Sequence, residues 1–503
     1  MADPELVAIL RRGTEAWNRY REEHPEATTP DLSRSDLAGL DLGEADLHGA
    51  NLTSADLSET RLEGSLLSDA QLAQTSAKGA CFDGATLHRA RMTSADLREA
   101  SLVDADLTGA DMTRASLVAA KLGRANLSGV QLQMANASRA VLDRAQLPVA
   151  NLKGAIFSAA SLEGAKLPGA NLERARLSMT NFRQADLTRS EASNAYLWHA
   201  VLYEANLTGA SLNRAELVEA DLSRAQLPLA ELEGAVLKRS RLVGSDLNQA
   251  NLSHSCLREA DLSRSDLTGA RLVEADLSGA NFGGAKLIHC ELSRAMLVDC
   301  NLSQATLSDC RLDDVILRGI RSDGLMTSNL ALTPMDEAAV LVDDLAMVGL
   351  METLLGQSRW RDLIAPNALR VALLLGRFPD WRRPHLDAIR DELRRRRYAP
   401  IAIDLEKPIG VRLRGFIQNL AHLARFIVAD LAGSREFMKQ IQQFRFAFED
   451  LPFQAIMPEG EDLGELPGLA ELNPYRYRDT EHLVETFGKS VLGPLEQKLE
   501  AVP

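Results

Sequence analysis

From residue 31 to residue 320 an apolar side chain recurs at every fifth position. It is nearly always leucine, as at Leu32, Leu37, Leu42, Leu47 and onward to Leu317, with Phe, Met or Ala at a few sites. Two residues before each stands a small residue, usually alanine, as at Ala45, Ala50, Ala55, Ala95 and Ala100. No insertion breaks this register over fifty-eight pentapeptides. The order small, any, Leu alternates inward, outward, inward, which is the two-residue period of a strand. The other two residues of each repeat are mostly polar or Gly and read as a corner. A short strand and a corner in every five residues wind the chain about an axis, and four sides close one coil. Residues twenty apart then stack, with leucine filling the axis. No single repeat buries its leucine without stacked neighbours, so the pattern predicts a solenoid.

The repeats Asn51-Leu52-Thr53-Ser54, Ala105-Asp106-Leu107-Thr108-Gly109 and Ala275-Asp276-Leu277-Ser278-Gly279 resemble the A(D/N)Lxx motif of the pentapeptide-repeat proteins. That resemblance implies a right-handed quadrilateral parallel β-helix over residues 31–330, roughly 70 Å long at the usual ~4.8 Å strand spacing. Exceptions in the central column pair large with small: Phe182 with Ala192 across one coil, Ala137 with Phe157 one coil apart, as volume compensation requires. Cys290, Cys300 and Cys310 stand in the small inward column. They read as buried small residues, since their spacing suits no common zinc pattern.

Residues 4–22 read as an amphipathic helix with Leu6, Ile9, Leu10, Ala16 and Trp17 on its apolar side. Within an N-terminal segment of residues 1–30 it is expected to cap the first coil. The register decays near Val315 and Ile320. Thr333-Pro334-Met335-Asp336 has the form of a helix start and predicts a linker helix within 331–367. From residue 368 to 503 apolar runs at 371–378, 398–405, 424–431 and 453–458 alternate with helical segments at about 384–397, 410–423, 434–448 and 480–500. This predicts a C-terminal doubly wound α/β domain around a parallel sheet, with ligands at the carboxyl ends of its strands.

Gly376-Arg377-Phe378, Ala429-Asp430-Leu431 and the helix after them resemble the TIR and nucleoside deoxyribosyltransferase-like group. The resemblance implies a pocket for NAD or a nucleotide that draws on Gly376, Arg377, Asp430 and Glu436. Enzymes of that group carry a glutamate on the helix after the third strand, where an anion meets a developing oxocarbenium ion. Here that position falls at or near Gln440, and an amide cannot serve as nucleophile or base. Glu436, one turn earlier, is the weak catalytic candidate, and the expectation is a domain that binds without catalysing.

Composition narrows the remaining choices. The formal net charge of −14 is spread along the chain with arginines interspersed, so there is neither a basic nucleic-acid footprint nor a continuous anionic rail. No run reaches transmembrane length and the start lacks a signal-peptide pattern. Five cysteines fit a reducing compartment. The expectation is a cytoplasmic protein with no metal, no membrane contact and no direct nucleic-acid contact. Outward positions on one face of the coils collect Ile156, Tyr196, Trp198, Val218, Val236, Met296 and Val298. Such a stripe suits a protein partner, self-association, or the C-terminal domain folding back. Three functions follow in order: a non-catalytic interaction scaffold; a DNA mimic that binds DNA gyrase, as some pentapeptide-repeat proteins do, protecting it from poisons; and a hydrolase of the N-glycosidic bond of NAD or a nucleotide.

Overall fold

A computed structural model describes residues 3–345, 347–349, 370–407, 417, 420, 423–432, 435–448, 451–461 and 473–500. The chain divides into two compact units. The first comprises Met1–Cys290, Met296–Ala305 and Arg318–Leu325; the second comprises Glu291–Ala295, Thr306–Leu317 and Met326–Pro503.

In the first unit the same backbone hydrogen bonds recur from pentapeptide to pentapeptide. The first residue is bridged in parallel to the residue twenty further on, as Asp31 to Asn51 and Asn51 to Gln71. Leu32 donates its N–H to the Asn51 carbonyl at 2.8 Å, Arg34 donates to Thr53 at 2.9 Å, and Asn51 donates down to Pro30 at 2.9 Å. Four sides per coil and a twenty-residue stack follow directly. The fourth residue turns the corner with a left-handed backbone, φ being +56° at Arg34 and +58° at Arg124, which is why glycine is common there. The third residue's N–H points outward and bonds the first residue's side chain, as Thr108 N to Asp106 Oδ1 at 3.0 Å. Proline, which lacks that N–H, is therefore tolerated at Pro148, Pro168 and Pro228, where the first residue is Gln146, Lys166 or Gln226 instead of Asp or Asn.

The leucine column is fully buried, and Phe157, Phe182, Ala137 and Ala192 are buried within it. Where the inward small residue carries a hydroxyl it bonds a nearby carbonyl: Ser65 to Leu62 at 2.7 Å, Thr60 to Leu37 at 2.9 Å. The cysteines do the same. Cys290 and Cys300 donate to Leu267 and Leu277 at 3.0 Å each, and burial pushes the Cys300 thiol up to about 12. All three are buried and fill the small inward column.

The first coil has no coil beneath it, so its downward-facing backbone groups need other partners. The expected single N-terminal helix is two, α1 (Pro4–Leu10) and α2 (Thr14–Glu23), broken at Gly13, whose φ of +104° no helix allows. Between them they replace the absent coil. Asp3 N bonds the Asp31 carbonyl at 3.0 Å and Arg11 Nη2 the Asp36 carbonyl at 2.8 Å. Trp17 Nε1 bonds the Asp46 carbonyl at 2.7 Å, and Asn18 Oδ1 accepts from Asp46 N at 2.8 Å. Trp17 is fully buried.

Toward the C-terminal coils the single bridges widen into three-residue strands: β1 (Lys286–Ile288), β2 (Met296–Val298), β3 (Thr306–Ser308), β4 (Ile316–Arg318) and β5 (Met326–Ser328). In the second unit a linker helix does not start at Thr333. Leu330–Ala331 (β6) and Ala339–Val342 (β7) form an antiparallel pair. The β-branched, alternately buried run Ala339–Val342 suits a strand, and Thr333 closes the intervening loop, its Oγ1 accepting from Val340 N and donating to the Ala338 carbonyl. The later part of the expected helix, to residue 367, lies mostly outside the described residues. Ala331 also bridges Arg311 in the coil ladder of this unit, so β6 serves both as the last rung of coil and as an edge strand of the sheet. An open edge is thereby paired instead of exposed.

The sheet has seven strands in the order β12-β11-β10-β8-β9-β7-β6. Its parallel part comprises β8 (Val371–Gly376), β9 (Ala399–Asp404), β10 (Ala424–Asp430), β11 (Phe453–Pro458) and β12 (Tyr475–Tyr477). Counted along the chain from β8, that is the order 2-1-3-4-5. Helices α3 (Arg383–Arg395), α4 (Arg435–Ala447), α5 (Thr480–Thr486) and α6 (Gly493–Glu500) intervene or follow, with a π-helical turn at Phe487–Leu492. Ala372, Leu374, Phe426, Val428 and Ile456 form one core cluster with Leu386, Leu393, Leu483, Phe487 and Leu495. The alternating residues Leu373, Leu375, Ile401, Ile403, Ile427 and Met457 are also buried, so both faces of the sheet are covered. The helix expected at 410–423 lies largely outside the described residues. Arg383, Arg390 and Arg394 of α3 pair with Asp309, Asp343 and Asp343 at 2.7, 3.3 and 2.5 Å, and Arg390 also donates to Asn329. Among the described residues no helix is long and apolar enough to cross a membrane, and no cluster of His, Cys, Asp or Glu is placed to hold a metal ion.

Candidate functional site

The sheet order places a topological switch point between β8 and β10, where strand succession reverses and a crevice opens beyond the strand ends. A cavity of ≈ 270 Å³ lies there, lined by Arg377, Pro379, Trp381, Arg382, Glu406, Ala432 and Glu461. Among the described residues expected from the sequence, only Arg377 lines it, and it is paired with Glu406 at 3.6 Å. Gly376 ends β8, where the Phe378 ring lies so close that an added Cβ would come within 2.4 Å of it. Its glycine is thus accounted for by packing.

Asp430 ends β10 but points into the interior, 3% exposed. Its Oδ2 accepts from Arg382 Nη2 at 2.7 Å and from the Tyr477 hydroxyl at 3.4 Å, and its Oδ1 accepts from Ala432 N at 3.1 Å. Burial raises its carboxyl pKa to about 6, against the pull of Arg382. Arg382, equally buried, also donates to the Tyr477 hydroxyl, while its Nε has no partner among the described residues. Burial raises the Tyr477 hydroxyl as well. His385 lies 5.7 Å from the Tyr477 ring, its pKa lowered by burial and by Arg382. Asp430 is therefore the base of a buried ion pair beneath the cavity. Gln440 is half-buried on α4, with its Oε1 lacking a partner among the described residues. Glu436 falls on the same helix, its side chain outside the described residues.

Sequence reasoning passed over Arg382, Trp381 and Tyr477. Arg382 and Trp381 sit in the short 3₁₀ turn (Asp380–Arg382) that follows the Gly376-Arg377-Phe378 segment, and loops at strand ends are where binding residues concentrate. That position was the available signal. Nothing local marks Tyr477, ninety-five residues from Arg382.

On the coils, Ile156, Tyr196, Val236 and Met296 share one outward column, but Arg176, Glu216 and Asp276 alternate with them in the chain of bridges. The stripe is thus interrupted by charge. Tyr196 and Trp198 are its exposed members, at 43% and 46% of their surface, whereas Ile156, Val218, Val236, Met296 and Val298 are half-buried. Tyr196 and Trp198, two residues apart, emerge on the same side of one strand. The indole is held by a hydrogen bond from Nε1 to Glu216 Oε2 at 2.7 Å. Met179, 60% exposed, stands one coil below His199 and donates its N–H to the Trp198 carbonyl. The result is a small patch centred on two aromatic rings.

These coils, bridged in parallel at twenty-residue intervals, define a β-solenoid with four sides to the turn. A family model described as "Pentapeptide repeats" matches residues 31–191 and 193–314 in overlapping segments, more than half the chain. The chain belongs to the pentapeptide-repeat family, whose fold is a right-handed quadrilateral β-helix. No protein of curated function matches it. Among solved structures it is similar to HetL, a pentapeptide repeat protein involved in heterocyst differentiation regulation from the cyanobacterium Nostoc sp. strain PCC 7120. The identity is 31% and the TM-score 0.35, over 38% of this chain and 89% of that one. It is similar also to full-length QnrB1, a plasmid-mediated fluoroquinolone resistance protein, at 20% identity and TM-score 0.19, over 44% of this chain and 93% of that one. A third is the pentapeptide repeat protein Rfr23 from the cyanobacterium Cyanothece 51142, at 31% identity and TM-score 0.14, over 21% and 62% respectively.

Proposed function

We propose that this chain is a non-catalytic interaction protein. Its coils offer a face to a protein partner, and its α/β unit is a TIR-like module that binds a ligand or partner without turning it over. The observation that carries the reading is the half-exposed pair Tyr196 and Trp198, with the Trp198 indole pinned by Glu216. Rigid aromatic residues with one polar anchor are the commonest hot-spot chemistry. In the α/β unit, the 2-1-3-4-5 order and the cavity beyond β8 and β10 support ligand binding. The commitment of Asp430 to Arg382 and an amide at Gln440 speak against glycosidic cleavage.

The DNA-gyrase reading has weaker support. A duplex look-alike needs an unbroken anionic surface, whereas carboxylates at the coil corners are paired with arginines one coil away, as Asp69 with Arg89 at 2.9 Å and Glu259 with Arg239 at 2.7 Å.

A photo-crosslinking residue at Val218 tests the interface in the chain's own cells. The expected result is a discrete protein adduct that disappears in Tyr196→Ser/Trp198→Ser while circular dichroism is unchanged. An adduct that persists in the double variant would remove this patch as the contact.

A further inference from the structure

Nothing in the backbone calls for glycine at position 123. It is the first of its repeat's two corner residues, but its φ lies outside the left-handed region that the second adopts, and a Cβ there would meet only the Asp143 carbonyl oxygen, at 3.8 Å, an ordinary contact. The coils on either side carry Val103 and Asp143 in the same column. The missing side chain opens a notch of ≈ 570 Å³ in the surface, with Val103, Gly123 and Val141 supplying its apolar part.

The charged groups around the notch are unequally engaged. Arg124 holds Asp104, with Nε to Oδ1 at 2.7 Å. Asp143 accepts from Ser161 Oγ at 2.5 Å and from Glu163 N at 3.1 Å, and Glu163 accepts from Asn181 Nδ2 at 3.2 Å. Lys121 and Arg144, both exposed and both lining the notch, have no ion-pair partner among the described residues. What the site lacks is an apolar group over Gly123 and carboxylates for two cations.

We propose that this notch holds an extended acidic segment of a partner protein, with an apolar side chain over Gly123 and carboxylates on Lys121 and Arg144. From the Val103 coil to the Glu163 coil is three coil steps, ~14 Å at ~4.8 Å per strand spacing, which about four residues of extended chain span. Within a chain of net charge −14 the lining is locally net positive, with Lys121, Arg124 and Arg144 against Asp143 and Glu163, and that local excess favours an acidic segment here. The site lies on a different column from Tyr196 and Trp198 and stands independently of that patch.

The test uses the full-length chain and a fluorescein-labelled octapeptide of alternating glutamate and leucine, followed by anisotropy at low salt. The expected result is binding that a lysine–leucine octapeptide does not share. Gly123→Phe, which fills the notch, and Lys121→Glu/Arg144→Glu should each weaken it roughly tenfold or more, and Tyr196→Ser/Trp198→Ser should leave it unchanged. No binding by the wild type would overturn the proposal. So would full binding by a normally melting Gly123→Phe, or competition by an oligothymidylate as effective as unlabelled peptide, either of which marks a non-specific charge effect. Should Gly123→Phe fail to fold, the charge-reversed variant and the oligothymidylate competition decide.

Discussion

Replacing Arg382 by methionine is expected to lower the stability of the α/β unit by about 3–5 kcal/mol at pH 8, because it leaves Asp430 as a buried carboxylate without its counter-charge. The pair is 2.7 Å apart and both side chains are 3% exposed. The loss depends on pH in a defined sense. Burial holds the Asp430 carboxyl at about 6 in the folded chain, above its ordinary 3.8. Its contribution to stability is thus complete below about pH 3.8 and is lost as pH rises through about 6. Without Arg382 that loss deepens on the alkaline side, so the gap between wild type and Arg382→Met should be small at pH 5 and large at pH 8. Adding Asp430→Asn to the variant should recover much of the difference at pH 8. Denaturation followed by hydrogen exchange in Val371–Gly376 and Ala424–Asp430 measures all three, and a gap that does not change with pH would mean that Arg382 does not compensate Asp430.

Trp17→Ala should unzip the start of the solenoid. Trp17 is wholly buried and its indole N–H holds the Asp46 carbonyl, so truncation removes packing worth about 3–5 kcal/mol together with a coil-replacing hydrogen bond. In a stacked array each coil depends on its neighbours, so the damage should be greatest at the first coils and fade with distance. The amides of Asn51, Asp56, Arg61 and Leu66, which donate to the first coil, should exchange faster by roughly two orders of magnitude, with those around Leu207 unaffected. Trp17→Phe, which keeps the ring and loses the N–H, should show a smaller acceleration. Uniform acceleration along the coils, or none, would show that α2 is not a cap.

The coils were readable because their determinants are local and repeated. Leucine at one position, a small residue at another and a left-handed corner recur in every repeat, and the stacking distance of twenty follows from closing four sides. The cap was readable from Trp17 and its apolar neighbours, but the break at Gly13 depends on how two short helices reach different carbonyls of one coil. Thr333-Pro334-Met335-Asp336 misled because the hydroxyl that caps a helix equally closes a loop. The choice was made by β7 pairing with β9, sixty-three residues on (Val340 with Ile403). The same non-locality hid the core of the α/β unit. Asp430 stood out as a strand-end carboxylate, yet its partners Arg382 and Tyr477 lie forty-eight and forty-seven residues away, and only the fold shows that it faces inward instead of into the cavity.

The most direct test of binding without catalysis is to incubate the full-length chain with NAD and a nucleotide panel, following product release and thermal shift together. No product above the protein-free control is expected, whether or not a ligand shifts the melting temperature. Release of nicotinamide or a free base that disappears in Glu436→Ala would contradict that expectation and make the α/β unit an enzyme.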